Sequence, residues 1–204
     1  MADAAVVAAP AFPAHINRQQ HYANACGAVC LLCAALELGK TNFPAIGTCG
    51  AMTLANDYYS ERALYYISSG AAAAGRPISG LAGEGYSMPG KLIEAAVHIG
   101  FQNATVYMRS TLSKEVLKAF YANEVQACRN LANVNVVEGK AARSSRRAAL
   151  AGNEYKLVVT EPFLVSLHYV LHRPDGSYMD PATGNDSASM PTLYNRTGIS
   201  IVIS

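Results

Sequence analysis

The stretch that decides the fold is QHYANACGAVCLLCAALELG, which runs from Gln20 to Gly39. After Cys26 its only charged residue is Glu37, and apolar side chains occupy every face of a 3.6-residue repeat. A helix that is apolar all round is buried in a protein core. Because Asn24 suits an N-cap and Gly39 suits the left-handed position after a helix, the sequence predicts a core helix with Cys26 in its first turn.

Cys26 differs from an ordinary core cysteine in its predicted environment. The N–H groups of a first helical turn have no partners within the helix, and the helix dipole places partial positive charge there. Both effects favour a thiolate, so Cys26 is a candidate nucleophile. Gln20 lies six residues upstream, where its amide could donate to an oxyanion together with the backbone N–H of Cys26. The alternative interpretation is a small buried hydrophobe, the usual role of a free cysteine.

Four blocks of the sequence resemble the papain-like peptidases of the bacteriocin-processing, double-glycine branch. Gln20 and the run CGAVCL at 26–31 resemble the glutamine and the Cys-Gly-Pro-Ala-Cys-Leu run that open this family. The run HYV at 168–170 resembles its His-Tyr-Val block, and DPATG at 180–184 resembles its Asp-Pro-Ala-x-Gly block. The run GYSMPGKLIEAAVHIGF at 85–101 is similar to the family's helix that ends in a Gly-aromatic pair.

The resemblance implies an α+β, papain-like cysteine peptidase fold, in which an N-terminal helical lobe carries the nucleophile helix and a C-terminal antiparallel β lobe faces it. It implies a thiol (cysteine) protease with Cys26 as nucleophile, His168 as base and acid, and Asp180 as the group that orients the histidine. Gln20 would complete the oxyanion hole, and cleavage would follow a Gly-Gly motif. Ala28 stands where the family usually has proline, a departure that touches none of these roles.

Two histidines, His168 and His172, lie four residues apart on one predicted strand and therefore on one face. An odd number of residues in the following turn places Asp180 on that face as well, whereas an even number places it on the other. With Asp180 opposite residue 170, His168 is its diagonal neighbour at about 7–8 Å between backbones, within side-chain reach. We expect His168 to be the base rather than His172, because it lies farther from the turn and carries the His-Tyr-Val resemblance.

The order of predicted elements is helices first and strands later, without βαβ alternation, which is the order of an α+β protein. The helices show apolar residues at spacings of three and four, and the strands are rich in valine, isoleucine and tyrosine. Besides the helix after Cys26, the predicted helices span 54–68, 91–100 and 112–131, and the predicted strands span 102–108, 134–137, 155–160, 163–172, 177–179 and 199–203.

Length and composition describe a globular chain. The 204 residues are 51% hydrophobic and 15% charged, enough for one sizeable core. We expect a loosely ordered lead-in over 1–16 and a single papain-like peptidase domain over 17–204. A net charge of +2 and a pI near 8.3 are too mild to indicate direct nucleic-acid binding. No apolar run is long enough for a membrane span, so we expect no membrane partner.

The N-terminus and the cysteines bear on the compartment. The first residues lack a basic region, carry Asp3, and are interrupted by Pro10 and Pro13, which is unlike a signal peptide. Three of the five cysteines belong to one predicted helix, where bridging geometry is poor, so a reducing compartment is expected. We therefore expect a cytoplasmic protein, or one secreted by a signal-peptide-independent route into a target cell.

A metal site is the competing interpretation of these cysteines. Cys26, Cys30 and Cys33 have the CxxxCxxC spacing of a radical-SAM iron–sulfur cluster. Along an apolar helix the three sulfurs would not converge, and a zinc site with His21 is no better, since structural zinc sites use cysteine pairs on loops. No metal and no cofactor are therefore expected.

Two classes of function remain open from the sequence. The first is a cysteine protease acting on a protein or peptide substrate, as a bacterial effector or toxin delivered into other cells or as a maturation peptidase for double-glycine leaders. Amidases and transferases of similar fold are variants of this class. The second is an inactive binding module in which the cysteine is incidental. A delivered toxin would also imply a cognate inhibitor or immunity protein as a partner.

Overall fold

A computed structural model describes residues 12–108, 123–139, 142, 149–161, 167–192 and 194–204. Within them the helices are α1 (Cys26–Glu37), α2 (Tyr58–Ser68), α3 (Pro89–His98) and α4 (Glu124–Asn130), with a 3₁₀ helix at Ile78–Gly83. The strands are β1 (Asn42–Phe43), β2 (Met52–Thr53), β3 (Ala104–Met108), β4 (Val134–Glu138), β5 (Tyr155–Glu161), β6 (His168–His172), β7 (Tyr178–Asp180), β8 (Asn185–Ser187) and β9 (Asn195–Ile203).

Helix α1 is the centre of the core, as its sequence predicts. All but one of its twelve residues are buried. At its end, Gly39 has a φ of +67°, and the N–H groups of Gly39 and Lys40 bond to the carbonyls of Leu36 and Ala35 at 3.1 and 2.8 Å. These two bonds form a Schellman motif, which explains why glycine follows the helix.

The predicted N-cap of α1 is wrong. The N-cap residue is Ala25, with no side-chain cap, and Asn24 instead donates from Nδ2 to the carbonyl oxygen of Glu84 at 2.9 Å. A bond to a segment distant in sequence has replaced the local cap. The effect is to fasten the loop before Cys26 to the segment that precedes α3.

A seven-stranded sheet covers one side of α1, in the order β4-β3-β9-β5-β6-β7-β8. Helix α1 packs on its strands β6 and β5, and on α2 and α3. The prediction of an antiparallel sheet from the C-terminal part of the chain is incomplete, because the sheet also contains β3 and β4. These two strands come from the middle of the chain and pair in parallel. A parallel pair needs a crossover connection, and the stretch between these strands contains α4. The chain therefore contains a βαβ unit, which the predicted order of helices first and strands later does not include.

Most strand predictions agree with the structure to within a few residues, except for the first residues of β6 and of β9. The strand predicted over 163–172 begins at His168, and residues 162–166 lie outside the described part of the chain. The final strand begins earlier than predicted, at Asn195, with an irregularity opposite Val158 and Thr160 of β5. Most of the helix predicted over 112–131 also lies outside the described residues.

A buried ion pair joins the far end of α1 to the sheet. Arg173, 1% exposed, donates from Nε to Glu37 Oε1 at 2.9 Å and to Oε2 at 3.1 Å. Its Nη1 donates to Asp186 Oδ1 at 2.6 Å. Because Glu37 is the last residue of α1 and Arg173 follows β6, the pair sets where the helix lies along the strand.

The end of the predicted lead-in is bonded to this same region. The N–H of Ile16 donates to Glu37 Oε1 at 2.9 Å, and the two ring nitrogens of His15 lie 2.8 Å from carboxylate oxygens of Asp175 and Asp186. Residues 1–11 of the lead-in lie outside the described residues. Among the described helices, none is long and apolar enough to cross a membrane.

Candidate active site

Cys26 is the first residue of α1 and lies where the helix N-terminus meets the start of β6. Its side chain is almost fully buried, with 2% of the residue exposed. Sγ accepts a hydrogen bond from the backbone N–H of Tyr169 at 3.4 Å. Since Tyr169 immediately follows His168, this bond places the sulfur next to the histidine.

His168 and Asp180 are in direct contact. His168 Nε2 lies 2.7 Å from Asp180 Oδ1, and both residues are 8% exposed. Leu171 pairs with Met179 across the hairpin, which puts Asp180 opposite residue 170. The predicted register of the hairpin is thus confirmed. This register follows from a turn with three residues between Arg173 and Ser177. The backbone N–H of Arg173 donates to the carbonyl oxygen of Ser177 at 2.9 Å.

The electrostatic surroundings keep His168 protonated near neutral pH. Burial lowers its pKa, but hydrogen bonds with Asp180 and with Cys26 outweigh this and raise the pKa to about 9. Because Nε2 is taken by Asp180, Nδ1 is the ring nitrogen that remains for the thiol. One imidazole thus contacts the carboxylate through Nε2 and keeps Nδ1 for the neighbouring thiol, the arrangement that a nucleophile, base and orienting group require.

Asp180 is held as an ionised acceptor by three donors. Burial raises its pKa, but hydrogen bonds from His168, the backbone N–H of Ala182 and the phenol of Tyr194 lower it below the usual range. The Ala182 N–H lies 2.9 Å from Oδ1 and the Tyr194 hydroxyl 2.8 Å from Oδ2. Sequence reasoning missed Tyr194, since no motif contains it. Its only signal is an aromatic hydroxyl that follows the Asp-Pro-Ala-Thr-Gly block.

Gln20 is near the site, but its amide donors face elsewhere. Nε2 donates to the carbonyl oxygens of Tyr22 at 3.1 Å and Ala23 at 2.7 Å, and the buried Oε1 has no hydrogen-bond partner among the described residues. Its backbone N–H bonds to the carbonyl of Pro181 at 2.8 Å. The loop after Asp180 therefore holds the segment that leads into Cys26, while the oxyanion role of Gln20 stays a prediction.

The surroundings of Gly184 explain why the loop after Asp180 ends in a glycine. Its φ is +72°, and a Cβ there would lie 2.7 Å from the backbone nitrogen of Gln19. The side chain of Gln19 also donates to the carbonyl of Ala182 at 3.0 Å. A residue without a side chain is thus required for the loop to approach the segment before the nucleophile helix.

Comparison with known proteins identifies the family. The family model described as "Invasion plasmid antigen J, cysteine protease" matches residues 18–204. The chain belongs to this family. It is 35% identical over 206 residues to the cysteine protease IpaJ of Shigella flexneri, an alignment that covers 92% of this chain and 78% of that protein. No solved structure matches the chain. The protein is therefore a thiol protease, a hydrolase that acts on protein substrates.

In this IpaJ-family protease, His172 lies apart from the contact between His168 and Asp180. Its ring stacks on Tyr178 at 4.4 Å between centroids. Burial, Lys156 and Arg196 lower the pKa of His172 to about 4, so the imidazole is neutral at neutral pH. This separation supports the choice of His168 over His172 as the histidine next to the nucleophile.

The five cysteines of the chain all lie in its described part. All five are free and buried. Burial is the largest cause of a raised pKa at four of these thiols. It raises the pKa of Cys30 and Cys49, and the pKa of Cys33 and Cys128 rises to about 12. In the described part of the chain, no group of three or more His, Cys, Asp or Glu side chains is placed to hold a metal ion.

Proposed function

We propose that Cys26, His168 and Asp180 are the catalytic triad of this protease, in a papain-like arrangement. The observations that carry the proposal are the contact of His168 Nε2 with Asp180 Oδ1 at 2.7 Å and the bond from the neighbouring Tyr169 N–H that places the Cys26 sulfur beside this histidine. A helix from the first part of the chain supplies the nucleophile, and a hairpin from the last part supplies the other two groups. We treat 17–204 as one peptidase domain, in agreement with a family match over 18–204.

The geometry supports the usual two-step chemistry of a thiol protease. The Cys26 thiolate attacks the scissile carbonyl carbon, and the protonated His168 gives its proton to the leaving amine as the C–N bond breaks. A water then loses a proton to His168 and attacks the thioester carbonyl. The C–S bond breaks, and the acid product and the free enzyme are released. Asp180 keeps the imidazole oriented and stabilises its cation throughout.

The oxyanion of each tetrahedral intermediate needs donors near Cys26. The candidates are the backbone N–H of Cys26 and the side chain of Gln20. Gln20 can serve only if one of its N–H groups leaves the carbonyl of Tyr22 or Ala23 and turns to the substrate. The bond to Tyr22 is the longer of the two, at 3.1 Å against 2.7 Å, so it is the one expected to be exchanged.

We propose cleavage after a Gly-Gly motif in an extended segment of a larger protein. The support is the resemblance of the blocks at 26–31, 168–170 and 180–184 to the double-glycine peptidases. A cleft that rejects any Cβ at the two residues before the cut leaves little area to bury there, so affinity must come from residues farther upstream.

The biological setting that we favour is a bacterial effector or toxin that acts after delivery into another cell, with a cognate inhibitor or immunity protein in the producing cell. The similarity to IpaJ of Shigella flexneri supports an independently acting protease. A maturation peptidase for double-glycine leaders is the second candidate. The two differ in substrate, since a maturation peptidase acts on short leader peptides and an effector acts on folded host proteins.

A comparison of lysates tests the proposal. Bacterial and host-cell lysates treated with wild-type or Cys26→Ala protein are compared by mass spectrometry of new peptide N-termini, with Cys49→Ala as the control for loss of a thiol outside the site. Termini that depend on Cys26, and that follow Gly-Gly, support the whole proposal. Cleavage that persists in Cys26→Ala would contradict the assignment of Cys26 as the nucleophile. Large residues before the cut would contradict only the proposed Gly-Gly specificity.

A further inference from the structure

A small cavity lies on the sheet face that carries His168 and Asp180. Its volume is about 60 Å³, and its lining includes Lys156, His172, Tyr178, Arg196, Ser200 and Tyr107. His172 is four residues beyond His168 on β6, which corresponds to about 13 Å along the strand. The cavity is therefore close to the triad but shares no residue with it.

Strand register brings these side chains together. Lys156 on β5 pairs with His172 on β6, and His172 pairs with Tyr178 on β7. One row of three neighbouring strands thus supplies an amine, an imidazole and a phenol to the same face. Ser200 and Tyr107, which pair between β9 and β3, add two hydroxyls from the neighbouring row. The sheet itself holds the donors in place.

Two of the described lining residues are cations, Lys156 and Arg196. Lys156 is only 8% exposed, with Nζ 5.8 Å from the centre of the Tyr107 ring, and Arg196 provides a second cation. The described lining residues include no carboxylate. The effect of the two cations is visible at His172, because both disfavour its protonated form and help to lower its pKa to about 4. The two cations therefore favour a ligand group that carries negative charge.

We propose that this cavity binds a single oxyanion group, a carboxylate or a phosphate. Two cations and several hydroxyl donors around a small cavity match the oxygen atoms of such a group, and Arg is suited to paired bonds with them. With a volume of about 60 Å³, the cavity suits a small charged group, and a larger ligand extends beyond it. The group comes either from an acidic side chain of the substrate or from a free anion.

If the oxyanion group belongs to an acidic side chain of the substrate, that side chain must lie at a fixed distance from the scissile bond. This inference rests on the proposed function. An extended peptide advances about 3.3 Å per residue. For a substrate that runs along β6, the separation of about 13 Å between His168 and His172 corresponds to about four residues between the scissile bond and the acidic side chain. The cavity would then act as a specificity subsite for acidic residues at that distance, which fits the need for affinity away from the two glycines.

Binding is tested without catalysis, in the Cys26→Ala protein. Inorganic phosphate is titrated while the imidazole resonances of His172 and His168 are followed by NMR. We expect phosphate to shift the His172 signals first, and both Arg196→Gln and Lys156→Met to weaken binding by about tenfold or more, the effect of losing one charge-assisted hydrogen bond. Lys91→Met, which removes a lysine on α3, is the matched control. Phosphate that leaves His172 unaffected, or that binds Arg196→Gln as tightly as the parent, would overturn the proposal.

A second arm separates the two sources. Peptides with one cleavable site carry either Glu or Gln at each position from three to five residues away, and kcat/KM is measured with wild type and Arg196→Gln. A preference for Glu that falls toward one in Arg196→Gln supports the substrate source. Phosphate binding without any Glu preference supports a free anion as the ligand. Because the first arm uses Cys26→Ala, failure of the triad proposal would leave its result unchanged.

Discussion

The phenol of Tyr194 donates to Asp180 Oδ2 at 2.8 Å, the carboxylate oxygen that His168 does not use. Its ring lies 5.2 Å from that of His168 between centroids. Burial and the bond to Asp180 raise the pKa of Tyr194 above its usual value, so the hydroxyl remains a donor. Tyr194 thus fixes the rotation of the carboxylate and packs beside the imidazole that the carboxylate orients.

Tyr194→Phe should therefore lower kcat by about tenfold and leave KM nearly unchanged, because it removes one hydrogen bond to a charged group without altering the cleft. The lost bond normally lowers the pKa of Asp180, so the acidic limb of the pH profile should move to higher pH. Tyr59→Phe, at an exposed position on α2, is the control. An unchanged kcat with an unchanged acidic limb would show that Tyr194 is only a packing residue.

Selective alkylation should identify Cys26. Iodoacetamide at neutral pH should modify Cys26 before the other four cysteines, since the raised pKa of Cys30, Cys33, Cys49 and Cys128 keeps those thiols protonated. Labelling is followed by peptide mass spectrometry against time. His168→Ala should slow the reaction of Cys26 alone. Equal rates at all five thiols, or reaction at Cys49 only, would contradict the assignment of the nucleophile.

The pKa of His168 predicts how stability depends on pH. Its folded value, about 9, is above the ordinary value of 6.5, so the folded state binds the proton more tightly than the unfolded chain. The resulting stability is fully present below about pH 6.5 and is lost as the pH rises through about 9. The advantage of wild type over His168→Gln in urea unfolding should therefore shrink between pH 6 and pH 10. An advantage that grows with pH would show that the histidine is buried neutral.

Local signals explain the parts of the fold that the sequence predicts. Helix α1 and its end at Gly39 follow from side-chain periodicity and from backbone bonds within six residues. The contact between His168 and Asp180 follows from the parity of one short turn. Each of these features depends on residues that are close in the chain, where spacing alone determines which groups can meet.

The remaining features depend on distant partners, which spacing does not reveal. Asn24 has the right type and place for a helix cap, yet it bonds to a carbonyl 60 residues away. Tyr194 reaches Asp180 across 14 residues. The parallel pairing of β3 with β4 is a choice between sheet edges that no local pattern specifies. Such contacts are decided by tertiary packing, so the sequence could indicate the type of site but not its full set of residues.

Gly184 offers a test of how the Asp180 loop supports the nucleophile helix. Gly184→Ala should destabilise the fold and lower activity, because a Cβ there meets the backbone of Gln19 at 2.7 Å. Gly176→Ala is a matched control, since Gly176 also has a positive φ, +90°, but an added Cβ would meet no atom of the described residues within 4 Å. Both variants bear the strain of a left-handed alanine, on the order of 1 kcal/mol. Equal losses of thermal stability would show that the approach to Gln19 does not matter.

Arg173 and Glu37 test whether a buried ion pair holds α1 on the sheet. Arg173→Met should lower the free energy of unfolding by about 3–5 kcal/mol, because it leaves the Glu37 carboxylate buried without its cation. The double variant Arg173→Met with Glu37→Gln removes both charges and should recover a substantial part of this loss. Urea unfolding of the two single variants and the double variant gives the coupling energy directly. Since Glu37 is eleven residues from Cys26, about 16 Å along the helix, kcat of the folded fraction should change little. A double variant that is as unstable as the sum of the singles would show that the two charges act independently.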